Sequence, residues 1–256
     1  METSQNIAMA QAAEPAAQAT LRTRDRVELP LYVWRASAPP RAAIALIHGL
    51  AEHAGRYAAL ATRLTAAGID VYAIDLRGHG HAPGRRTRIS HFDDYLNDAE
   101  ALLAHASAQC AAQGTPLFLM GHSMGGASRV ISAIWPTFPA MKIDAALLAR
   151  VRDVVEANRA DPLVHHGAIP ARTGAQLLEA MKRIETGRAQ LRLPVLIWHG
   201  TEDKLTEPEG SRAFGANVGS PDRTLTLYEG SYHETLNDLD RERVIGALID
   251  WIDQHS

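Results

Sequence analysis

Apolar positions along this chain follow two periods. Short apolar runs recur at Ala42–Gly49 (AAIALIHG), from Ile69 (IDVYAIDLRGHG), at Pro116–Ser123 (PLFLMGHS) and from Leu193 (LPVLIWHGTED), and RTLTLYEGSYH from Arg223 is a further strand candidate. Runs this short and this apolar are expected of strands buried on both faces. Between them, helical spacing appears at Arg56–Gly68, His91–Gly114 and Arg241–Gln254. Gly68 and Gly114 stand where helices of this kind stop. Ahead of them, Leu21–Pro40 alternates around a central turn signal and reads as an opening hairpin. Strands alternating with helices predict an α/β protein with a mostly parallel sheet.

Residues 131–190 break the pattern. They carry helical spacing and proline breaks but no convincing strand, with Asp144 and Thr173 as candidate N-caps. An all-helical insertion between strands suggests a cap over the strand ends. The division expected is a leader over 1–20, a core over 21–130 and 191–256, and a cap over 131–190. The leader is rich in Ala and Gln, without the basic and apolar regions of a signal peptide, and is expected to be disordered.

Composition adds exclusions. A net charge of -3 with mixed signs gives no electrostatic case for nucleic acid. The single cysteine, Cys110, excludes a disulfide framework and reads as a buried thiol on a helix. No run approaches the ~20 apolar residues of a membrane span, so a cytoplasmic protein is expected, with the oligomeric state left open.

The chemistry concentrates at Gly121-His122-Ser123-Met124-Gly125. A lone G-x-S-x-G is weak, and Ser123 could be an ordinary serine in a glycine-rich turn. A nucleophile elbow requires a buried strand before the serine, small residues around the turn and a helix after it, whose N-terminal amides face an oxyanion. The run before Ser123 and Gly121, Gly125 and Gly126 meet the first two conditions. In that architecture an acid and then a histidine follow, each at a strand's carboxyl end. Asp203 and His233 stand in that order. A serine hydroxyl needs an imidazole to take its proton, and the acid fixes the imidazole's tautomer. Glu202, next to Asp203, is a rival acid, and His233 is one of twelve histidines. For the oxyanion, the amide of Met124 and that of Leu50, after the tight His48-Gly49 turn, are the candidate donors.

Together, HGLAEHAGRY, DLRGHG, GHSMGG, DPLVHH, HGTEDKLTEPEG and YEGSYHE resemble the monoacylglycerol lipase family of α/β-hydrolases from about Leu46 to the C-terminus. The resemblance implies the α/β-hydrolase fold with a helical cap (lid). It also implies a serine hydrolase cleaving glycerol monoesters of fatty acids without a cofactor. It maps the triad onto Ser123, Asp203 and His233, and the oxyanion amides onto Leu50 and Met124. Glu52, Arg56 and His122 fall where the family gathers polar groups around the glycerol; an alternative is an Arg–Glu pair that merely holds the loop. Ile131, Ile134, Trp135, Phe138, Met141 and Ile143 cluster among prolines in the cap. They suit an acyl chain, since each buried CH₂ gives about 0.8 kcal/mol, or they pack the cap onto the body. A cap of this kind would touch lipid aggregates or a membrane surface transiently.

Other readings stay open. The substrate could be a lysophospholipid, another lipophilic ester or a thioester, and the fold could serve as a non-catalytic binding domain. Metal binding at His48 and His53, or at His79 and His81, lacks accompanying carboxylate or cysteine spacing. The basic stretch HAPGRRTRIS reads as a solvated loop.

One departure from the family pattern is expected to matter. After the elbow, a helix, a strand and two loops should occupy on the order of 25 residues before the cap. Here GGAS runs almost at once into the cap-like RVISAIWPTFPAMKID. RVISAIW cannot be that strand, because a parallel crossover needs about a dozen residues or more. Either residues are missing from the sequence, with a join near Gly126–Arg129, or the sheet is natively shortened. The first is favoured, because losing an interior strand would expose edges and apolar faces.

Overall fold

The computed structural model describes residues 19–123 and 142–256. Met124, the cap residues Ile131, Ile134, Trp135, Phe138 and Met141, and the join near 126–129 lie outside them.

The opening hairpin is present: β1 (Ala19–Arg22) pairs antiparallel with β2 (Glu28–Trp34), Leu21 facing Leu29. β2 pairs antiparallel with β4 (Ile69–Ile74), and β4, β3 (Ala42–Ile47) and β5 (Leu117–Gly121) run parallel, giving the order β1-β2-β4-β3-β5. The runs of β3 and β4 form interior strands with both faces covered, whereas β5, at the end of the sheet, is only partly buried. Ile44, Leu46, Val71 and Ala73 face one way, against Leu60 and Leu64 of α1 (Ala58–Ala66) and Val244, Leu248 and Ile252 of α6 (Arg241–Gln254). Ala43, Ala45, Tyr72 and Ile74 face the other, against Leu102, Ala106 and Cys110 of α2 (Asp93–Gln113). The period of two in the strands thus divides one apolar run between two cores. Gly114 ends α2 at φ 65°, a left-handed position that glycine takes without strain.

Residues 142–194 contain no strand among those described. They hold α3 (Arg152–Ala160) and α4 (Ala171–Gly187). Asp144 does cap a short 3₁₀ turn, its side chain accepting from the Ala146 N–H at 2.9 Å. Thr173 does not cap α4. The helix starts two residues earlier, after Pro170, and Thr173 is buried, its hydroxyl donating to the Thr87 carbonyl at 2.8 Å. A threonine's local capping preference yields here to a tertiary hydrogen bond.

The last strands, β6 (Val195–Gly200) and β7 (Arg223–Tyr228), pair parallel with each other in a separate two-stranded sheet. α5 (Pro208–Asn217) links them. Among the described residues no strand joins β5 to β6, and Leu119 of β5 is 60% exposed.

Candidate active site

β5 delivers Ser123 beyond its last paired residue, where the His122 N–H still donates to the Ile47 carbonyl. Ser123 has φ 66°, a left-handed conformation that costs a non-glycine residue energy and marks a sharply turned backbone. The tight steric demand falls on Gly49. A Cβ there would stand 2.6 Å from Glu52 Oε1 and 3.0 Å from the Ser123 Cβ, whereas a Cβ at Gly121 meets nothing among the described residues. The loop after β3 can therefore close on the serine only because residue 49 has no side chain.

β6 and β7 deliver the other two groups. Gly200, at the end of β6, abuts the carbonyls of Ser231 and Tyr232, so that a side chain there would push the acid loop off the histidine loop. Across that contact His233 Nδ1 donates to Asp203 Oδ2 at 2.8 Å, which leaves Nε2 as the acceptor for Ser123 Oγ, 2.7 Å away. Asp203 Oδ1 accepts the N–H groups of Leu205 and Thr206 at 2.8 and 3.0 Å, and the Thr206 hydroxyl donates to Oδ2 at 2.7 Å. Burial raises the Asp203 pKa, but hydrogen bonds from His199, His233 and Thr206 outweigh it and hold the carboxyl far below the usual range. The rival acid, Glu202, instead pairs with Lys204 at the surface.

Behind the serine lies a buried charge network. Arg56 forms a two-pronged pair with Glu234 (2.7 and 2.8 Å) and also reaches Glu52 (2.9 Å). Glu52 Oε1 accepts from the Gly49 N–H (2.5 Å), the Tyr57 hydroxyl (2.9 Å) and His122 Nδ1 (3.0 Å). One carboxylate thus shapes the turn before Leu50 and orients His122, the residue before Ser123. Burial opposes ionisation of Glu52, but the His122 hydrogen bond and the His122 and Arg56 charges outweigh it and hold the carboxyl well below its ordinary range. Burial lowers the His122 pKa, and the hydrogen bond and charge of Glu52 more than reverse that. The His122 ring centre stands 5.1 Å from that of His233.

A cavity of about 150 Å³ opens over Ser123 and His233. Its polar end carries Glu52, Arg56, His122 and Glu234, with Leu50 on the rim; its apolar wall carries Leu148, Val164, Ile169, Leu178, Met181 and Leu205. Ile143 lines it too. A larger cavity of about 510 Å³, between β5 and β6, also reaches Ser123 and His233.

Of the residues singled out from sequence, Ser123, Asp203 and His233 form one hydrogen-bonded chain, with Leu50, Glu52, Arg56, His122 and Ile143 around it. Met124, Ile134, Trp135 and Phe138 fall outside the described residues. Sequence reasoning missed Glu234, Thr206 and His199. Glu234 adjoins His233, and its partner Arg56 is 178 residues away; no local pattern signals such a pair. His48 is fully buried, bonding the Gly49 carbonyl through Nδ1 (2.7 Å) and the Leu76 N–H through Nε2 (3.0 Å). His53 Nε2 is paired with Asp161 at 2.8 Å. Among the described residues no group of three or more potential ligands could hold a metal ion.

A parallel β3-β4-β5 core flanked by helices, with a serine on a strained turn bonded through histidine to a buried aspartate, defines an α/β-hydrolase. The family profile described as "Serine aminopeptidase, S33" matches residues 38–130 and again 127–240, the two stretches meeting just past the elbow. A monoacylglycerol lipase of Mycolicibacterium smegmatis is 32% identical, the match taking in 87% of this chain and 92% of the relative. That alignment spans 259 positions against a whole chain of 256, so the relative carries residues for which this chain has none. The crystal structure of Paleococcus ferrophilus monoacylglycerol lipase superposes with a TM-score of 0.73 at 30% identity, covering 90% of this chain and all of that one. A soluble variant of Saccharomyces cerevisiae monoglyceride lipase, solved with a substrate analogue, shares the fold at TM-score 0.84 and 20% identity, over 96% of this chain and 97% of that one. The chain belongs to the monoacylglycerol lipase family of serine hydrolases.

Proposed function

We propose that this protein hydrolyses monoacylglycerols to fatty acid and glycerol through an acyl-serine intermediate. The observation that carries the reading is the Ser123–His233–Asp203 chain set at the junction of an apolar wall and a charged, hydrogen-bonding end in one cavity. An ester with one acyl chain and a polyol head matches that polarity. His233 Nε2 takes the Ser123 proton as Oγ attacks the ester carbonyl. The amides of Leu50 and Met124 receive the oxyanion. The imidazolium, stabilised by Asp203, then protonates the departing glycerol oxygen. Water repeats the sequence on the acyl-enzyme, with His233 again as base. Glu52, Arg56 and His122 bind the glycerol end, and the cap, with Ile134, Trp135, Phe138 and Ile143, takes the acyl chain.

The same reading divides the chain into a core of 21–130 and 191–256 and a cap of 131–190 that meets lipid aggregates transiently, in a cytoplasmic setting. No helix among the described residues is long and apolar enough to cross a membrane. It also holds that residues are missing near 126–129. The two-part family match and the lack of a described strand between β5 and β6 support this.

The test is labelling with a fluorophosphonate probe, followed by kinetics on monoacylglycerols of graded chain length. One adduct, lost in Ser123→Ala, with activity rising beyond acetyl esters, is expected. Activity that peaks at acetyl esters would favour a small-ester esterase. No adduct and no turnover would leave a binding domain.

A further inference from the structure

His199 is a buried histidine, 8% exposed, next to the end of strand β6, four residues before the acid. Both ring nitrogens are engaged. Nε2 stands 3.0 Å from the Thr206 carbonyl and 3.0 Å from Asp203 Oδ2. Neither of those oxygens can donate, so Nε2 carries the hydrogen. Nδ1 lies 2.7 Å from the Ser211 hydroxyl on α5. A helix and a backbone carbonyl thereby hold the ring in one orientation, as the partners of metal-bound or triad histidines do.

The consequence falls on Asp203 Oδ2. It already accepts from His233 Nδ1 and the Thr206 hydroxyl, at 2.8 and 2.7 Å, while Oδ1 takes two backbone N–H groups. The His199 Nε2–H, which donates to the Thr206 carbonyl, also stands 3.0 Å from Oδ2, so the carboxylate faces a fifth N–H beyond the four donors it already accepts. The extra donor competes with His233 for the same oxygen. We propose that His199 is a positioning residue of the reaction: its Nε2–H shares Asp203 Oδ2 with His233, and so weakens the hold that the acid exerts on the His233 proton.

The titratable groups near this pair are Asp203 on the adjoining loop, His233, and His122 with Glu52 behind it. On the wall of the larger cavity stand His48, and Lys182, Glu185 and Arg188 around the end of α4. On α5, Glu209 and Arg212 pair with each other at the surface. Among the described residues, His199 and His233 are the two that bring a ring nitrogen to Asp203 Oδ2, at 3.0 and 2.8 Å.

The inference rests on the serine-hydrolase reading, and the experiment separates the two. The acid limb of the pH–kcat/KM profile is measured for wild type, His199→Gln and His199→Asn on one soluble ester. The Gln amide can place its N–H near the Nε2 position, toward Asp203, whereas the Asn amide reaches only the Nδ1 position, toward Ser211. His199→Gln should keep the wild-type limb. His199→Asn, lacking the competing donor, should move it to higher pH by about half a unit or more, because Asp203 then holds the proton on His233 more firmly. The low-field proton of the His233 Nδ1–H···Asp203 bond should shift in His199→Asn alone. Equal limbs in all three proteins, or the same displacement in both variants, would overturn the proposal. A wild type without ester turnover would overturn the underlying reading instead.

Discussion

Replacing Arg56 by methionine would remove the cation from between two buried carboxylates while keeping most of the side-chain volume. Glu52 and Glu234 are 6% and 3% exposed, and Arg56 supplies three hydrogen bonds of 2.7–2.9 Å to them. Removing one partner of a buried ion pair costs about 3–5 kcal/mol, because the charge left behind stays desolvated. The loss should depend on pH, with a definite sign. Burial raises the Glu234 pKa, and the charge and hydrogen bonds of Arg56 bring it below its ordinary value. In wild type both carboxyls are depressed, so their contribution is present above the unfolded value near 4.3 and is lost as pH falls through the folded values. Without Arg56 burial wins at Glu234, its pKa rises above the unfolded value, and the variant becomes relatively more stable as that carboxyl takes up a proton. Urea midpoints for the two proteins should therefore differ most near pH 7 and converge toward pH 4. A deficit below about 1 kcal/mol at pH 7, or one that stays constant across that range, would refute the reasoning.

Four other outcomes are expected. Asp203→Asn should lower kcat on the order of 10⁴-fold with little change in far-UV circular dichroism, since the amide no longer fixes the His233 tautomer; a loss under tenfold would contradict the assigned role. Gly200→Ala drives a Cβ into the carbonyls of Ser231 and Tyr232, so Tm and kcat should fall together, and a variant with wild-type kcat would show that the two loops need not touch. Glu52→Gln should lower the His122 pKa, because the carboxylate raises it against the effect of burial. The stability that His122 supplies is complete below its unfolded pKa and is lost as pH rises through the folded one, so this loss should move to lower pH in the variant; an unchanged NMR titration of the His122 ring would contradict the coupling. Intact-mass measurement of the purified protein should exceed the mass of the 256-residue chain if residues are missing near the elbow, and agreement between the two would mean that the sheet is natively shortened.

Much of this site was legible locally. The runs of β3 and β4 read as strands because burial on both faces leaves an unbroken apolar signature, whereas β5, β6 and β7, which precede Ser123, Asp203 and His233, are only partly buried. The G-x-S-x-G pattern singled out Ser123, which the structure holds at φ 66° within hydrogen-bond reach of His233. The shortness of the segment between Ser123 and the helices of 142–194 was legible too, and among the described residues no strand joins β5 to β6. The start of α4 was misread because Thr173 has the local properties of a cap but spends its hydroxyl on Thr87, 86 residues away. What only the tertiary structure decided were the groups whose roles exist in pairs. Arg56 with Glu234 and Gly49 against Ser123 are brought together by loops from different strands. Strand patterning records which residues are buried; it carries no record of which buried polar atom meets which, because that depends on how separate strand ends converge.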